Sequence, residues 1–151
     1  MYSSFLERTS AVQTILPVIT ISNATVTGVA VDRTGYLSCG VEYTAGVCPS
    51  LPTGFTVALV VRDCLTSNGT FADYATIPTF GTAGGLSAAS TVKYQNVDLR
   101  GAKRWILVSE TLTFTGGSSP SQIGGVNFIF GDASNEPPVQ TGTNTGVLPT
   151  Q

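Results

Sequence analysis

From position 17 onward, apolar and polar residues alternate along the chain with a period of two, the signature of half-buried β-strands. Val18–Ile21 reads as a strand that Asn23-Ala24 breaks, and in Thr25–Val31 the side chains of Val29 and Val31 share a face. Asp32-Arg33-Thr34-Gly35 reads as a turn, because glycine takes the positive φ that other residues resist. Tyr36–Thr44 alternates again, with Leu37, Cys39, Val41 and Tyr43 on one face. Ala45–Gly54 holds two Pro and two Gly and predicts a loop. Phe55–Leu65 is apolar on both faces at its centre, which predicts a strand deep in a sheet. Thr66-Ser67-Asn68-Gly69 predicts a tight hairpin turn with positive φ at Asn-Gly, returning through Thr70–Ile77. Pro78–Ser90 predicts a loop, Thr91–Leu99 a strand and Arg100–Lys103 a turn. Arg104–Thr115 is a long strand that turns Trp105, Leu107, Ser109, Thr111 and Thr113 to one face and Ile106, Val108, Glu110, Leu112 and Phe114 to the other. Gly116–Pro120 is a loop, and Gln122–Phe130 completes the core.

About eight strands at this spacing predict an all-β, antiparallel sandwich. A jelly-roll-like wiring is preferred. An immunoglobulin-like sandwich is the alternative, although Cys39, Cys64 and Trp105 stand in the wrong order for it. The ends read differently. Residues 1–16 are an N-terminal arm, helical or extended, in which Phe5, Leu6, Val12, Ile15 and Leu16 are irregularly spaced. Residues 17–135 are the sandwich. Residues 136–151, with three Pro and two Gly, are an extended C-terminal arm.

Composition narrows the function. The 151 residues are 42% hydrophobic and only 11% charged, with no histidine. Low charge with this hydrophobicity excludes intrinsic disorder, and a helical bundle would be rich in Ala, Glu, Lys, Leu and Arg. Without histidine there is no Ser-His-Asp triad and no Cys-His dyad. Seven Lys+Arg against nine Asp+Glu provide no basic field, so nucleic acid is not an expected partner. The longest apolar run, Val57–Val61, falls far short of the roughly 20 residues of a membrane span, and no signal-peptide pattern follows Met1. No membrane partner is expected, and synthesis in a cytoplasm is.

Candidate chemistry is sparse. Cys39, Cys48 and Cys64 read as small buried hydrophobes in a reducing compartment, with a Cys39–Cys48 bridge left open, and their spacing matches no metal site. Asp63, Asp73, Asp98 and Glu110 are the carboxylates that could pair. Asp63 and Asp73 flank one hairpin and could face each other, but they read more simply as solvated strand ends. Glu110 sits on a mostly apolar face, either paired with Arg62 or Arg104 or guarding an edge strand. Gly81, Gly84 and Gly85 lead into no phosphate-binding pattern, so no cofactor is expected. Trp105 reads as a core or sheet anchor. Arg100, Lys103 and Arg104 place three of the seven basic residues within five positions. They are either a solvated turn or a small contact site for an anionic partner surface.

Several short segments occur in an order that resembles a known family. They are Gly35-Tyr36-Leu37-Ser38, Asn68-Gly69-Thr70-Phe71-Ala72-Asp73-Tyr74, Gly101-Ala102-Lys103-Arg104-Trp105-Ile106, Phe114-Thr115-Gly116-Gly117, and Phe130-Gly131-Asp132-Ala133 followed by Pro137-Pro138-Val139. Together they resemble small virion proteins of tailed bacteriophages, encoded among head-morphogenesis genes near the major capsid protein. Arg62-Asp63-Cys64-Leu65 replaces the family's acidic approach to the hairpin, and Leu107 stands where the family often has Arg. The resemblance implies a non-catalytic capsid decoration (cement) protein on the virion surface, made in the host bacterial cytoplasm. Its implied partners are the major capsid protein and further copies of itself, a trimer being favoured over a dimer. No catalytic, metal or cofactor residues follow. The candidate partner contacts are Phe5, Leu6, Arg100, Lys103, Arg104, Pro137, Pro138, Val139, Val147 and Leu148. Three other readings compete: a head–tail connector, tail or fibre component; a carbohydrate-binding sandwich using Tyr36, Tyr43, Tyr74 and Tyr94; and, least, an enzyme.

Overall fold

The computed structural model describes residues 9–21, 23–46, 52–83, 91–118 and 120–133. Their strands are β1 (Ser10–Ile21), β2 (Ala24–Thr27), β3 (Val31–Asp32), β4 (Tyr36–Ala45), β5 (Gly54–Cys64), β6 (Ala72–Ala83), β7 (Thr91–Asp98), β8 (Trp105–Thr115) and β9 (Ser121–Ala133). All pair antiparallel, in two sheets. One sheet runs β1-β9-β4-β7; the other runs β2-β8-β5-β6, with β3 also on β8. Because β2 and β3 line up along the same partner strand, they act as one interrupted strand. The chain then changes sheet at every connection except the β5–β6 hairpin, which is the wiring of a jelly roll. The immunoglobulin-like alternative is thereby set aside.

Register explains the core. On β5 and β8 the pairs Phe55–Phe114, Val57–Leu112, Leu59–Glu110 and Val61–Val108 all face inward. The other sheet answers with Cys39, Val41, Tyr43, Val126, Phe128 and Phe130, each 1% exposed or less. Tyr36 packs on Phe130 and Phe130 on Phe128, with ring centroids 5.0 and 5.7 Å apart. Burying each such side chain stabilises by roughly 1.5–3 kcal/mol. The inner face of β8 is therefore the one that alternation predicts, Glu110 included.

Four local expectations change. First, β1 begins at Ser10, so residues 10–16 belong to the sheet rather than to an arm. Register shifts between Gln13 and Ile15 and between Ile15 and Val18 hide its period of two from a sequence reading. Second, β6 continues through Pro78 to Ala83 instead of giving way to a loop. Proline is tolerated on an edge strand at a bulge, and Pro78 falls where the register shifts, between Ile77 opposite Leu59 and Phe80 opposite Val57. Third, the β5–β6 connection is not a two-residue hairpin. Thr66 C=O accepts from Gly69 N–H at 3.3 Å, which puts Ser67 and Asn68 at the turn centre, and among the described residues the positive-φ glycines are Gly35, Gly116 and Gly117. Fourth, Tyr36 rather than Leu37 is the buried residue at the start of β4. The Asp32–Gly35 turn forms as predicted, with Gly35 at φ 92° and Tyr36 N–H donating to Arg33 C=O at 3.0 Å.

Candidate functional site

Most of the described charge gathers at one end of the sandwich. The β3–β4 turn brings Asp32 and Arg33, the ends of β5 and β6 bring Arg62, Asp63 and Asp73, and the β7–β8 turn brings Asp98, Arg100, Lys103 and Arg104. Asp32 anchors the first part. Its Oδ2 accepts from Arg104 Nε at 3.0 Å and Nη2 at 2.7 Å, and its Oδ1 accepts from the Thr34 N–H at 2.9 Å and hydroxyl at 2.7 Å. Burial alone would raise the pKa of Asp32. The hydrogen bonds from Arg104 and Thr34 outweigh it, and the carboxyl is held below its usual range while the Arg104 guanidinium is raised. That guanidinium also lies 5.5 Å from the Trp105 ring centroid.

Asp63 is the second anchor and is 5% exposed. Lys103 reaches it twice, from its backbone N–H at 2.9 Å and from its ammonium at 3.1 Å. Arg33 ties the two turns together, donating to Lys103 C=O at 3.0 Å, to Tyr36 C=O at 3.2 Å and to Ala102 C=O. At the rim, Arg62 pairs with Asp73 at 2.7 Å and Arg100 with Asp98 at 3.4 Å. Exposed pairs of this kind add little stability each. The layering matters more than the count. The Arg104 and Lys103 side chains are 58% and 43% exposed, while the Asp32 and Asp63 side chains beneath them are 7% each. Over these two acids the cations face outward, while at the rim the Asp73 and Asp98 carboxylates, 66% and 64% exposed, stand beside Arg62 and Arg100, so the end presents both signs.

The predicted contacts divide accordingly. Arg100, Lys103 and Arg104 stand together at this end. Phe5, Leu6, Pro137, Pro138, Val139, Val147 and Leu148 lie outside the described residues. The start of β1 and the end of β9 lie toward this end, since Ser10 pairs with Phe130 and Ala133 pairs with Tyr36. Sequence reading missed Asp32, Arg33 and Asp63 as parts of the same end. Alternation does put Asp63 on the inner face with Val61 and Leu59, and an inward acid at a strand end implies a partner.

Other candidates are corrected. Asp63 and Asp73 do not face each other; each is taken by its own cation. Glu110 pairs with neither Arg62 nor Arg104, and its strand is interior, between β2 and β5. The residue is 1% exposed, burial raises its pKa, and the Tyr43 hydroxyl from the opposite sheet lowers it only in part. Neither carboxyl oxygen has a hydrogen bond of full geometry. Trp105 is half-buried outside the main core. Tyr36 and Tyr43 are buried at 3% and 0%, so the four-tyrosine sugar-binding row does not exist. Cys39 and Cys64 are free and buried, and burial pushes the Cys39 thiol up to about 12. Cys48 lies outside the described residues. Among the described residues no three His, Cys, Asp or Glu side chains are grouped to hold a metal ion.

No family model matches this sequence. No curated protein matches it either. Solved structures do. The VP2 subviral particle of infectious bursal disease virus aligns over 87% of this chain with a TM-score of 0.51 and 13% identity. Structures of the Gt and Gx strains of that virus align over 87% and 85% of it, with TM-scores of 0.53 and 0.51 and identities of 12% and 11%. The chain spans about a third of those proteins, 32–34% of their length. Identities this low establish a shared fold.

Proposed function

We propose that this chain is a structural, non-catalytic virion protein that binds the outside of a bacteriophage capsid and bridges neighbouring subunits of the major capsid protein. One observation carries the reading: the start of β1 and the end of β9 both lie at the end that holds Arg100, Lys103 and Arg104. A rigid body whose first and last strands both open at an end rich in paired charges is suited to clamping adjacent subunits. The fold supports a virion role, because its solved neighbours come from viral particles. The ordered segments from Gly35 to Val139 favour the tailed-phage setting. Adhesion would be additive, each copy contributing a modest contact and repetition supplying avidity. A self-associated form, trimeric before dimeric, places three such ends around one symmetry point.

Shell binding is tested with purified, preassembled capsids and the full chain. Saturable binding in hundreds of copies per particle is expected. Deleting 136–151, or replacing Arg100, Lys103 and Arg104 together by Ala, should weaken binding while the circular dichroism spectrum stays that of a folded β-protein. A handful of copies per particle would point to a connector, and binding unaffected by both changes would remove this end from the contact. A second reading, that the sandwich itself builds a shell, is favoured by the particle-forming state of the VP2 neighbour. It requires particles from this chain expressed alone.

A further inference from the structure

The turn between β5 and β6 holds Asn68 followed by Gly69, the one Asn-Gly pair in the chain. Residues 65–70 are all exposed. Gly69 takes the fourth position of the turn, and its N–H reaches the Thr66 C=O at 3.3 Å. The usual N–H···O range is about 2.7–3.2 Å, so this main-chain nitrogen is weakly held. The glycine itself is fixed by packing, because a Cβ at position 69 would stand 2.5 Å from Cys64 Sγ and 2.6 Å from Thr66 Oγ1. No such demand falls on position 68. The Asn68 carboxamide makes no hydrogen bond among the described residues.

The other described asparagines are placed differently. Asn23 Oδ1 accepts from Phe114 N–H at 2.7 Å, and Asn127 Nδ2 donates to Glu42 Oε2 at 3.1 Å. Asn96 and Asn127 lie inside β7 and β9, where pairing holds the backbone extended. Ala24, Val97 and Phe128 follow these three, and each has a side chain that shields its main-chain nitrogen. Gly69 has none, so packing has set the least shielded nitrogen next to the least restrained carboxamide.

A bond from the Gly69 nitrogen to Asn68 Cγ closes a five-membered ring, and the two groups are held together by the chain itself. We propose that Asn68 is a site of spontaneous self-modification, at which the Gly69 nitrogen displaces ammonia from the side chain and the turn acquires a carboxylate. Hydroxide takes the Gly69 amide proton, the nitrogen bonds to Cγ, and the Cγ–Nδ2 bond breaks. The leaving nitrogen takes a proton from water and departs as ammonia. Water then opens the cyclic imide at either of its carbonyls. One opening gives aspartate, and the other gives isoaspartate, with the main chain routed through Cβ. Ammonia leaves, water enters, and nothing is oxidised or reduced. The chain, at a formal net charge of -2, gains one further negative charge. It appears in the turn that links Arg62 and Asp63 to Asp73, so the charged end becomes more acidic as the molecule ages. The step does not depend on the shell-binding reading and stands or falls separately.

The test is peptide mapping by mass spectrometry of the full folded chain, sampled over weeks at neutral and at mildly alkaline pH. Asn68 should gain one mass unit, give separable aspartyl and isoaspartyl products, and react faster at the higher pH. It should react about tenfold or more faster than Asn96 or Asn127. Hydroxylamine, which attacks the cyclic imide, should split the folded chain between Asn68 and Gly69. Asn68→Gln, folded by its circular dichroism spectrum, needs a larger ring and should lose both the mass gain and the split. The same chain unfolded in urea gives the rate without the turn. The proposal is overturned if Asn68 stays intact in the folded chain, whether or not it reacts in urea, or if Asn96 or Asn127 reacts as fast.

Discussion

Two acids withdrawn from water sit about as differently as one sandwich allows. Asp32, at the charged end, has a side chain 7% exposed and four hydrogen bonds, and its pKa is lowered. Glu110, in the middle of the core, is 1% exposed with no cation partner among the described residues, and its pKa is raised. Burial pushes both in the same direction. The partners decide the outcome, because a low-dielectric site strengthens an ion pair and penalises a lone charge alike. The end of the sandwich is thus a place where charge is stabilised, and the middle is a place where charge is suppressed.

The contrast can be broken by mutation. The largest effect belongs to the middle. Phe128→Ala should destabilise by about 3–5 kcal/mol, read from urea unfolding, because the fully buried ring leaves a cavity between the sheets. A loss below about 1 kcal/mol would show that the middle is not tightly packed. Next comes the end. Asp63→Ala should cost about 1–3 kcal/mol by orphaning the Lys103 N–H and ammonium. A neutral outcome would mean that water replaces the carboxylate there.

The smallest effects are in pH dependence, and they have opposite signs. Folded Glu110 holds its proton to higher pH than it does unfolded, so its contribution to stability is lost as pH rises from its ordinary 4.5 through the raised value. Asp32 contributes above its ordinary 3.8, and that contribution is lost as pH falls through the lowered value. Melting curves across pH should therefore flatten above 4.5 in Glu110→Gln and below 3.8 in Asp32→Asn. If the two variants flatten the same side of the profile, the contrast between the regions is wrong.

The two regions were also unequally readable. Strands with a clean period of two, such as β8 and most of β4, could be assigned to faces residue by residue from composition and order. β1 and β6 could not, because bulges interrupt the period and Pro78 looks like a terminator until its strand is known to lie at an edge. The charged end was visible only as Arg100, Lys103 and Arg104. Its acidic layer comes from Asp32 and Asp63, 72 and 40 residues before their partners Arg104 and Lys103. Nothing local links them.

The sequence by itself determined an all-β sandwich, a core drawn from one face of each strand, and an absence of histidine chemistry. Alternation and turn residues are local properties, and they suffice for that. Only the tertiary structure decided that the wiring is a jelly roll, that Asp63 is clamped while Glu110 has no cation among the described residues, and that the tip of the Tyr94 ring covers Gly40. It also decided that the start of β1 and the end of β9 lie at the end of the sandwich that carries the charged turns. Each of these depends on which strands become neighbours, and pairing between distant segments is set by the packing of the whole sandwich.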